Sequence, residues 1–356
     1  MMFSHYVEFW EKIVVLIGVT MTKKLTFRIG IVGCGLIGKK RAEALLFLKN
    51  TKLIGCTDVD ILKAKSFAVD YETIVFDNWK KLINSKLIDI VFIATHHNSL
   101  SEISSAAINS GKHVLVEKPG AIKSSELKSL TKLANKKKVK VKVGYNHRYH
   151  RSFIKAKEII DNNSLGQLMF IRGRYGHGGR LGYEKEWRSN LRLSGGGELI
   201  DQGSHLIDLC KWILGDLRYE SGFAHTYFWN SSADDNTFMI LKSKHNQTAF
   251  LHASCTEWKN LFSMEIYGKK GKIDINGLGG SYGLEKITWY KMLPEMGPPD
   301  TICWEYPTTD QSWSAEIREF LKDIEHDRKP SSSLEEATKT LKIIEEIYFK
   351  SGIKNE

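Results

Sequence analysis

The stretch Thr26-Phe27-Arg28-Ile29-Gly30-Ile31-Val32 runs directly into Gly33-Cys34-Gly35-Leu36-Ile37-Gly38. Lys39 to Leu48 follows with Ala42, Leu45, Leu46 and Leu48 at helical spacing. A buried strand, a glycine turn and a helix in that order leave few alternatives for the local fold. Gly33 permits the tight turn, Gly35 lets the backbone approach a pyrophosphate, and Gly38 allows close packing of helix on strand. The N–H groups of the helix start, around Leu36 and Ile37, carry the partial positive charge that suits phosphates.

A glycine motif alone is weak, but the next element strengthens it. Leu53 to Thr57 reads as a second strand, and it ends at Asp58, twenty residues past Gly38. An acidic side chain there accepts hydrogen bonds from the adenosine ribose and repels a 2′-phosphate, so NAD is expected over NADP. The alternative is a surface Asp in a βα loop. The alternation then continues. Ile88 to Thr95 reads as a strand, and Ser99 to Ser110 as a helix stopped by Gly111. The strand His113 to Val116 leads into Glu117-Lys118-Pro119. A helix over 124–135 precedes the strand Val139 to Gly144, which ends in Tyr145-Asn146-His147-Arg148-Tyr149. Repeated βα units predict a Rossmann-type, doubly wound parallel sheet over 22–145, with ligands at the C-terminal strand ends. Thr95, Glu117, Lys118, Tyr145 and Asn146 stand at such ends.

A chain of 356 residues has room for two domains, each with its own core. The net charge of +11 favours anionic partners. The basic residues are scattered, however. The densest run, Lys136-Lys137-Lys138, reads as a solvated helix end, and no nucleic-acid-binding motif accompanies it. Five cysteines without a CxxC pair argue against a disulfide framework and a zinc site, and fit a reducing cytoplasm. Ile13 to Val19 is too short to span a bilayer, so no membrane partner is expected. Met21 opens a plausible start before the first strand, which makes residues 1–21 a candidate upstream extension.

Two phrases carry a family resemblance. One is Gly111-Lys112-His113-Val114-Leu115-Val116-Glu117-Lys118-Pro119. The other is Gly195-Gly196-Gly197-Glu198-Leu199-Ile200-Asp201-Gln202-Gly203-Ser204-His205-Leu206-Ile207-Asp208. With the glycine turn, they make the chain similar to the glucose–fructose oxidoreductase/inositol dehydrogenase/MocA family from Phe27 to Ile353. The resemblance implies that Lys118 lies beside the nicotinamide and the reacting hydroxyl, and that Asp201 and His205 complete the catalytic set. Asp201 and His205 are four apart, so on one helix they share a face. The plainer reading is a capping Asp and a satisfied core His. A His can take the hydroxyl proton near neutral pH, and a Lys can stabilise the developing alkoxide. By resemblance, Thr95, Glu117, Asn146, Trp187 and Arg188 meet the cofactor. Tyr145, Arg148 and Arg180 are candidates for substrate, with Arg148 equally suited to a structural role. Where many members carry Pro-Asn after Thr95, this chain has His96-His97-Asn98. A cofactor contact by His97 is the weakest assignment, because a His pair in a loop is more often solvated. No metal is expected.

The second half reads as mainly antiparallel strands: an entry strand over 166–175, then 236–242, 247–255, 262–268 and 271–276. The resemblance implies one large open sheet in a substrate domain over 146–312, used for homodimer or homotetramer contacts. The loop Tyr175 to Gly182, with His177 and Arg180, could close over substrate or be plainly flexible. Arg188 and Arg192 raise a nucleotide-linked sugar as a substrate. Amphipathic helices over 313–326 and 333–351, within a segment 313–356, are implied to pack near the domain junction. The expected activity is hydride transfer between a sugar, polyol or nucleotide-sugar hydroxyl and NAD. The alternatives are an enzyme whose tightly held NAD cycles internally, and a sensor that has lost the reaction.

Overall fold

The computed structural model describes residues 26–353; the reading of Met21 and of residues 1–21 lies outside them. In the first domain β1 (Phe27–Val32), α1 (Leu36–Leu45), β2 (Thr51–Thr57), α2 (Ile61–Asp70), β3 (Ile74–Val75), α3 (Trp79–Asn84), β4 (Ile90–Ile93), α4 (His97–Asn109), β5 (His113–Glu117), α5 (Ser124–Lys137) and β6 (Val141–Gly144) alternate along the chain. Their strands form one parallel sheet in the order β3-β2-β1-β4-β5-β6. The order reverses between β1 and β4, and the crevice above that switch point is where such sheets bind ligands. The inner strand β4 is buried at every position, as befits a parallel strand covered by helices on both faces, and β6, although at the edge of the sheet, is buried throughout as well, Lys142 included, where its alternation of Val and Lys suggests a half-exposed strand. Helix α1 begins at Leu36, earlier than its apolar spacing suggests, because the glycine turn feeds straight into its first turn.

The second domain contains α6 (Arg151–Asp161), β7 (Leu168–Gly176), α7 (Leu191–Ser194) and α8 (Ser204–Leu214). It continues with β8 (Leu217–His225), β9 (Asn236–Ser243), β10 (Thr248–Ser254), β11 (Leu261–Gly268), β12 (Gly271–Asn276), β13 (Glu285–Lys291) and β14 (Asp300–Tyr306). These strands make an eight-stranded sheet ordered β14-β13-β12-β11-β7-β10-β9-β8. Every neighbouring pair is antiparallel except β7 with β10. The mainly antiparallel open sheet is therefore as expected, although β8, β13, β14 and α6 were not legible. One face is packed: a side chain at Gly173 would meet Leu251, Met264 and Leu206 of α8. The other is open, and on it Arg172, Arg174, Phe238, Phe250, His252 and Glu265 line a groove of about 400 Å³.

The chain then returns to the first domain in α9 (Ser312–Glu325) and α10 (Leu334–Lys350). Glu316 of α9 pairs with Arg41 of α1 at 2.6 Å. Glu345 of α10 accepts from the Ser124 N–H and hydroxyl at the start of α5. Just before α10, the Ser332 carbonyl accepts from the Val143 N–H of β6. Among the described residues no helix is long and apolar enough to cross a membrane.

Candidate active site

The glycine turn has the geometry its residues imply. Gly33 adopts φ +98°, and a side chain there would strike the Ala94 carbonyl oxygen at 2.4 Å. A side chain at Gly38 would lie 2.0 Å from the Gly33 carbonyl oxygen, so helix and turn touch directly. The Cβ direction of Gly35 is open, and no side chain caps the first turn of α1. An open backbone edge beside free helix N–H groups fits a pyrophosphate. Asp58 stands next to this edge: its Oδ2 accepts from the Cys34 N–H at 2.7 Å and its Oδ1 from the Asp60 N–H at 2.9 Å. It staples the turn, and its remaining lone pairs suit ribose hydroxyls. The residues present thus fit a dinucleotide.

At the end of β5, Lys118 reaches across to the second domain. Its ammonium pairs with Asp201 Oδ1 and donates to the Asp201 carbonyl at 3.0 Å. Arg188 Nε donates to the other carboxylate oxygen at 2.7 Å. Burial works to raise the Asp201 pKa, but the two cations win and hold it well below the usual carboxylate range. Asp201 is therefore a fixed anion that sets where both cations stand. It lies in a π-turn, Leu199–Gly203, rather than in a regular α-helix. That is a correction to the expected shared helix face, and such wide turns recur at functional sites. The turn is anchored by buried Asp234, which accepts from the Gly197 and Leu199 N–H groups at 2.8 Å each.

His205 is the second residue of α8, directly after the turn, and is buried. Burial, then the nearby Lys118 charge, hold its pKa well below that of a free imidazole. Its ring stacks on His147, with centroids 3.8 Å apart and planes 23° apart.

Other expected site residues are placed as follows. Trp187 sits between His96, stacked at 4.8 Å, and His97, edge-on at 4.9 Å, with the Arg188 guanidinium over its ring at 4.7 Å. Thr95 lies two residues past β4, half-buried, its hydroxyl accepting from Ser99. His97 is not solvated: it is buried against the Ser194 carbonyl at 2.7 Å, and burial followed by Lys118 pushes its pKa down to about 4. Four of the assigned residues have their side chains engaged elsewhere. The Glu117 carboxylate is taken by Arg41 at 2.7 Å and faces inward rather than toward a cofactor. Tyr145 has no exposed surface and stands edge-on to His205, so it backs the site without reaching substrate. Arg148 is buried, held by both oxygens of Asp208 at 2.7 and 2.6 Å and by Glu336, which leaves it structural. Arg180 projects into solvent and pairs with Glu186 on the rim. Asn146 is buried, with its amide spent on Ser312 and His147.

The sequence reading passed over His147 and His96 as site residues. For His147 the only signal was its place in Asn146-His147-Arg148 at the end of β6. The loop after β7 is tied down: His177 Nδ1 accepts from Gly179 and its Nε2 lies 3.4 Å from Glu198. Among the described residues no group of three or more His, Cys, Asp or Glu side chains could hold a metal ion.

Fold and site together define a dinucleotide-binding α/β protein whose second domain closes the ligand edge of the first. A family model described as "Oxidoreductase family, NAD-binding Rossmann fold" matches residues 27–145, and the GFO/IDH/MocA C-terminal domain matches 153–274. The chain belongs to the glucose–fructose oxidoreductase/inositol dehydrogenase/MocA family. Among curated relatives, glucose-6-phosphate 3-dehydrogenase of Bacillus subtilis is 32% identical over 198 residues, covering 55% of each chain. Myo-inositol 2-dehydrogenase of Thermotoga maritima is 24% identical over 328 residues, covering 88% of this chain and 93% of that one. The first curated relatives are thus matched over about half their length. A solved levoglucosan dehydrogenase in complex with NADH superposes with a TM-score of 0.83 at 20% identity, covering 93% and 98% of the two chains. An oxidoreductase domain protein from Kribbella flavida gives 0.84 at 20%, covering 92% and 97%. At these identities the structural likeness speaks for the fold.

Proposed function

We propose that the protein is an NAD-dependent dehydrogenase or reductase acting on a secondary hydroxyl of a sugar, polyol or nucleotide-linked sugar. The observation that carries this reading is the pairing of Lys118 and Arg188 on opposite oxygens of Asp201 beside His205, at the C-terminal end of β5, on the same edge of the sheet as the glycine turn. The cofactor supplies the hydride acceptor. His205, neutral because burial and Lys118 disfavour its cation, takes the hydroxyl proton. The Lys118 ammonium stabilises negative charge on the substrate oxygen as the proton leaves. Asp201 orients Lys118 and Arg188 and stays ionised throughout. Trp187, braced by His96 and His97, walls the cofactor side of the cleft and helps exclude water. The Asp58 carboxylate beside the glycine turn supports NAD over NADP. The names of the relatives, which act on glucose 6-phosphate, inositol and levoglucosan, support a polyhydroxylated substrate.

The open sheet face, where Phe223 and Phe250 are exposed, supports a homodimer or homotetramer, to be checked by light scattering. The reaction is tested by mixing the protein with NAD and a panel of free, phosphorylated and nucleotide-linked sugars and following NADH absorbance. Turnover on one sugar, lost in Lys118→Ala, is expected. Tight NAD binding with no NADH released on any sugar would overturn it in favour of internal redox cycling or sensing.

A further inference from the structure

The His205 imidazole lacks the hydrogen bond that usually orients a histidine base. Its Nδ1 is buried and finds no hydrogen-bond partner among the described residues. In a base that works through Nε2, Nδ1 ordinarily donates to a carboxylate or carbonyl, which fixes both ring plane and tautomer. Without that bond, rotation about the Cβ–Cγ bond is limited only by packing, since the torsion itself is broad. The packing is specific. His147 covers one face of the ring at 3.8 Å, and Tyr145 and Tyr175 stand edge-on at 5.7 and 6.1 Å.

His147 is itself held from several sides. Its Nδ1 meets Asn146 Oδ1 at 3.2 Å, and the Asn146 amide donates to Ser312 Oγ of α9 at 2.9 Å. Its ring stands edge-on to His150 at 5.4 Å, and His150 is bonded to Glu285 at 3.0 Å. Glu285 in turn accepts from the Ser152 N–H at 2.8 Å. The side chains of Asn146, His147, His150, Glu285 and Ser312 are all buried, and they come from the turn after β6, from β13 and from α9. The face offered to His205 is therefore fixed by three segments of the chain.

We propose that His147 is a positioning residue for His205: its ring face, and not a hydrogen bond, sets the imidazole plane that presents Nε2 to the substrate hydroxyl. The proposal rests on His205 being the base. It adds no chemical step.

The test uses His147→Ala, His147→Leu and His147→Phe in the full chain, each checked by thermal unfolding and by NADH binding. Leu fills the volume without a flat face, and so carries the test if the Ala variant does not fold. Phe restores the face without nitrogen atoms. Expected are a kcat loss of about tenfold or more in Ala and Leu, KM within about twofold, and recovery to within about threefold in Phe, as for a misplaced reacting group. In parallel, two-bond ¹H–¹⁵N spectra of the imidazoles, with His205 assigned by His205→Gln, read how many orientations its ring adopts. The wild type and Phe variant should show one sharp set of His205 signals, and Ala and Leu several sets or exchange broadening. An unchanged kcat and an unchanged His205 signal set in Leu would overturn the proposal. So would a Phe variant as impaired as Leu, since that would assign the role to the nitrogens. The spectra do not need turnover, so a protein that oxidises no sugar would sink the functional reading while the His147 proposal is still decided. A fully active His205→Gln would sink the base assignment on which the proposal rests.

Discussion

The Arg41 guanidinium is buried against the Glu117 carboxylate, Nε to Oε1 at 2.7 Å, one residue before Lys118. Its other end meets Glu316 of α9, and Trp313 packs on its plane at 4.6 Å. The helix after the glycine turn, the strand that carries Lys118 and the C-terminal helix are thus joined through one side chain. Removing one member of a buried ion cluster strands the others. Arg41→Met should cost about 3–5 kcal/mol, and adding Glu117→Gln and Glu316→Gln should restore much of it. Urea unfolding of the single and triple variants decides the matter; equal stabilities would show that the pairing contributes little.

Burial and Lys118 hold His205 below the ordinary imidazole pKa. A base with a lowered pKa stays unprotonated to lower pH, so the acidic limb of kcat/KM for oxidation should lie below about 6.5. Lys118→Met removes the nearby cation. It should lower kcat by about 10²–10³-fold and move the residual acidic limb upward. A limb that does not move in the pH–rate profile would mean that Lys118 does not act on His205.

Asp58 has two tasks that one variant can separate. Asp58→Asn keeps an acceptor for the Cys34 N–H but loses the charge, whereas Asp58→Ala loses both. The Asn variant should narrow the preference for NAD over NADP by about 10-fold or more with little loss of NAD turnover. The Ala variant should also weaken NAD binding. Dissociation constants from NADH fluorescence would separate the two, and an unchanged preference in both would remove Asp58 from cofactor choice.

Lys142 is buried on β6, with its ammonium on Tyr149, the Ser331 carbonyl and the Ser331 hydroxyl. Burial, opposed by Glu316 and Asp323, lowers its pKa from 10.5 to about 8. Between those values the unfolded chain holds a proton that the folded chain has released, so the contribution of Lys142 to stability rises with pH there. The Tm of the wild type should therefore gain on that of Lys142→Met from about pH 8 to about pH 10. A constant difference in calorimetry would show that the lysine keeps its charge when folded.

The first sheet was legible because β4 is apolar on both faces, β1 is nearly so, and the glycine turn punctuates β1. β3, only two residues long, offers no such signal, and β8 and β14 are edge strands with mostly half-exposed or exposed residues. Lys118, Asp201 and His205 were legible through their motifs. Their ordering was not: the π-turn under Asp201 depends on Asp234, thirty-odd residues away in sequence, and the His147 stack on tertiary packing. Glu117, Tyr145 and Arg148 show the limit of placing residues at strand ends. The position was right, but Arg41, His205 and Asp208 wait on the inner side, and pattern alone does not tell which way a polar side chain turns.

The return of α9 and α10 to the first domain also bears on how the chain is made. All six strands of the parallel sheet have been synthesised by Gly144, but Glu316 and Glu345, which pair with Arg41 and Ser124, come 172 and 201 residues later. At cellular elongation speeds that is a delay of roughly 10–40 s. During it Arg41 has only Glu117 as its partner, and the surface that later receives α9 and α10 is bare. The nucleotide domain precedes the second domain in sequence yet is completed after it, because its last contacts wait for α9 and α10.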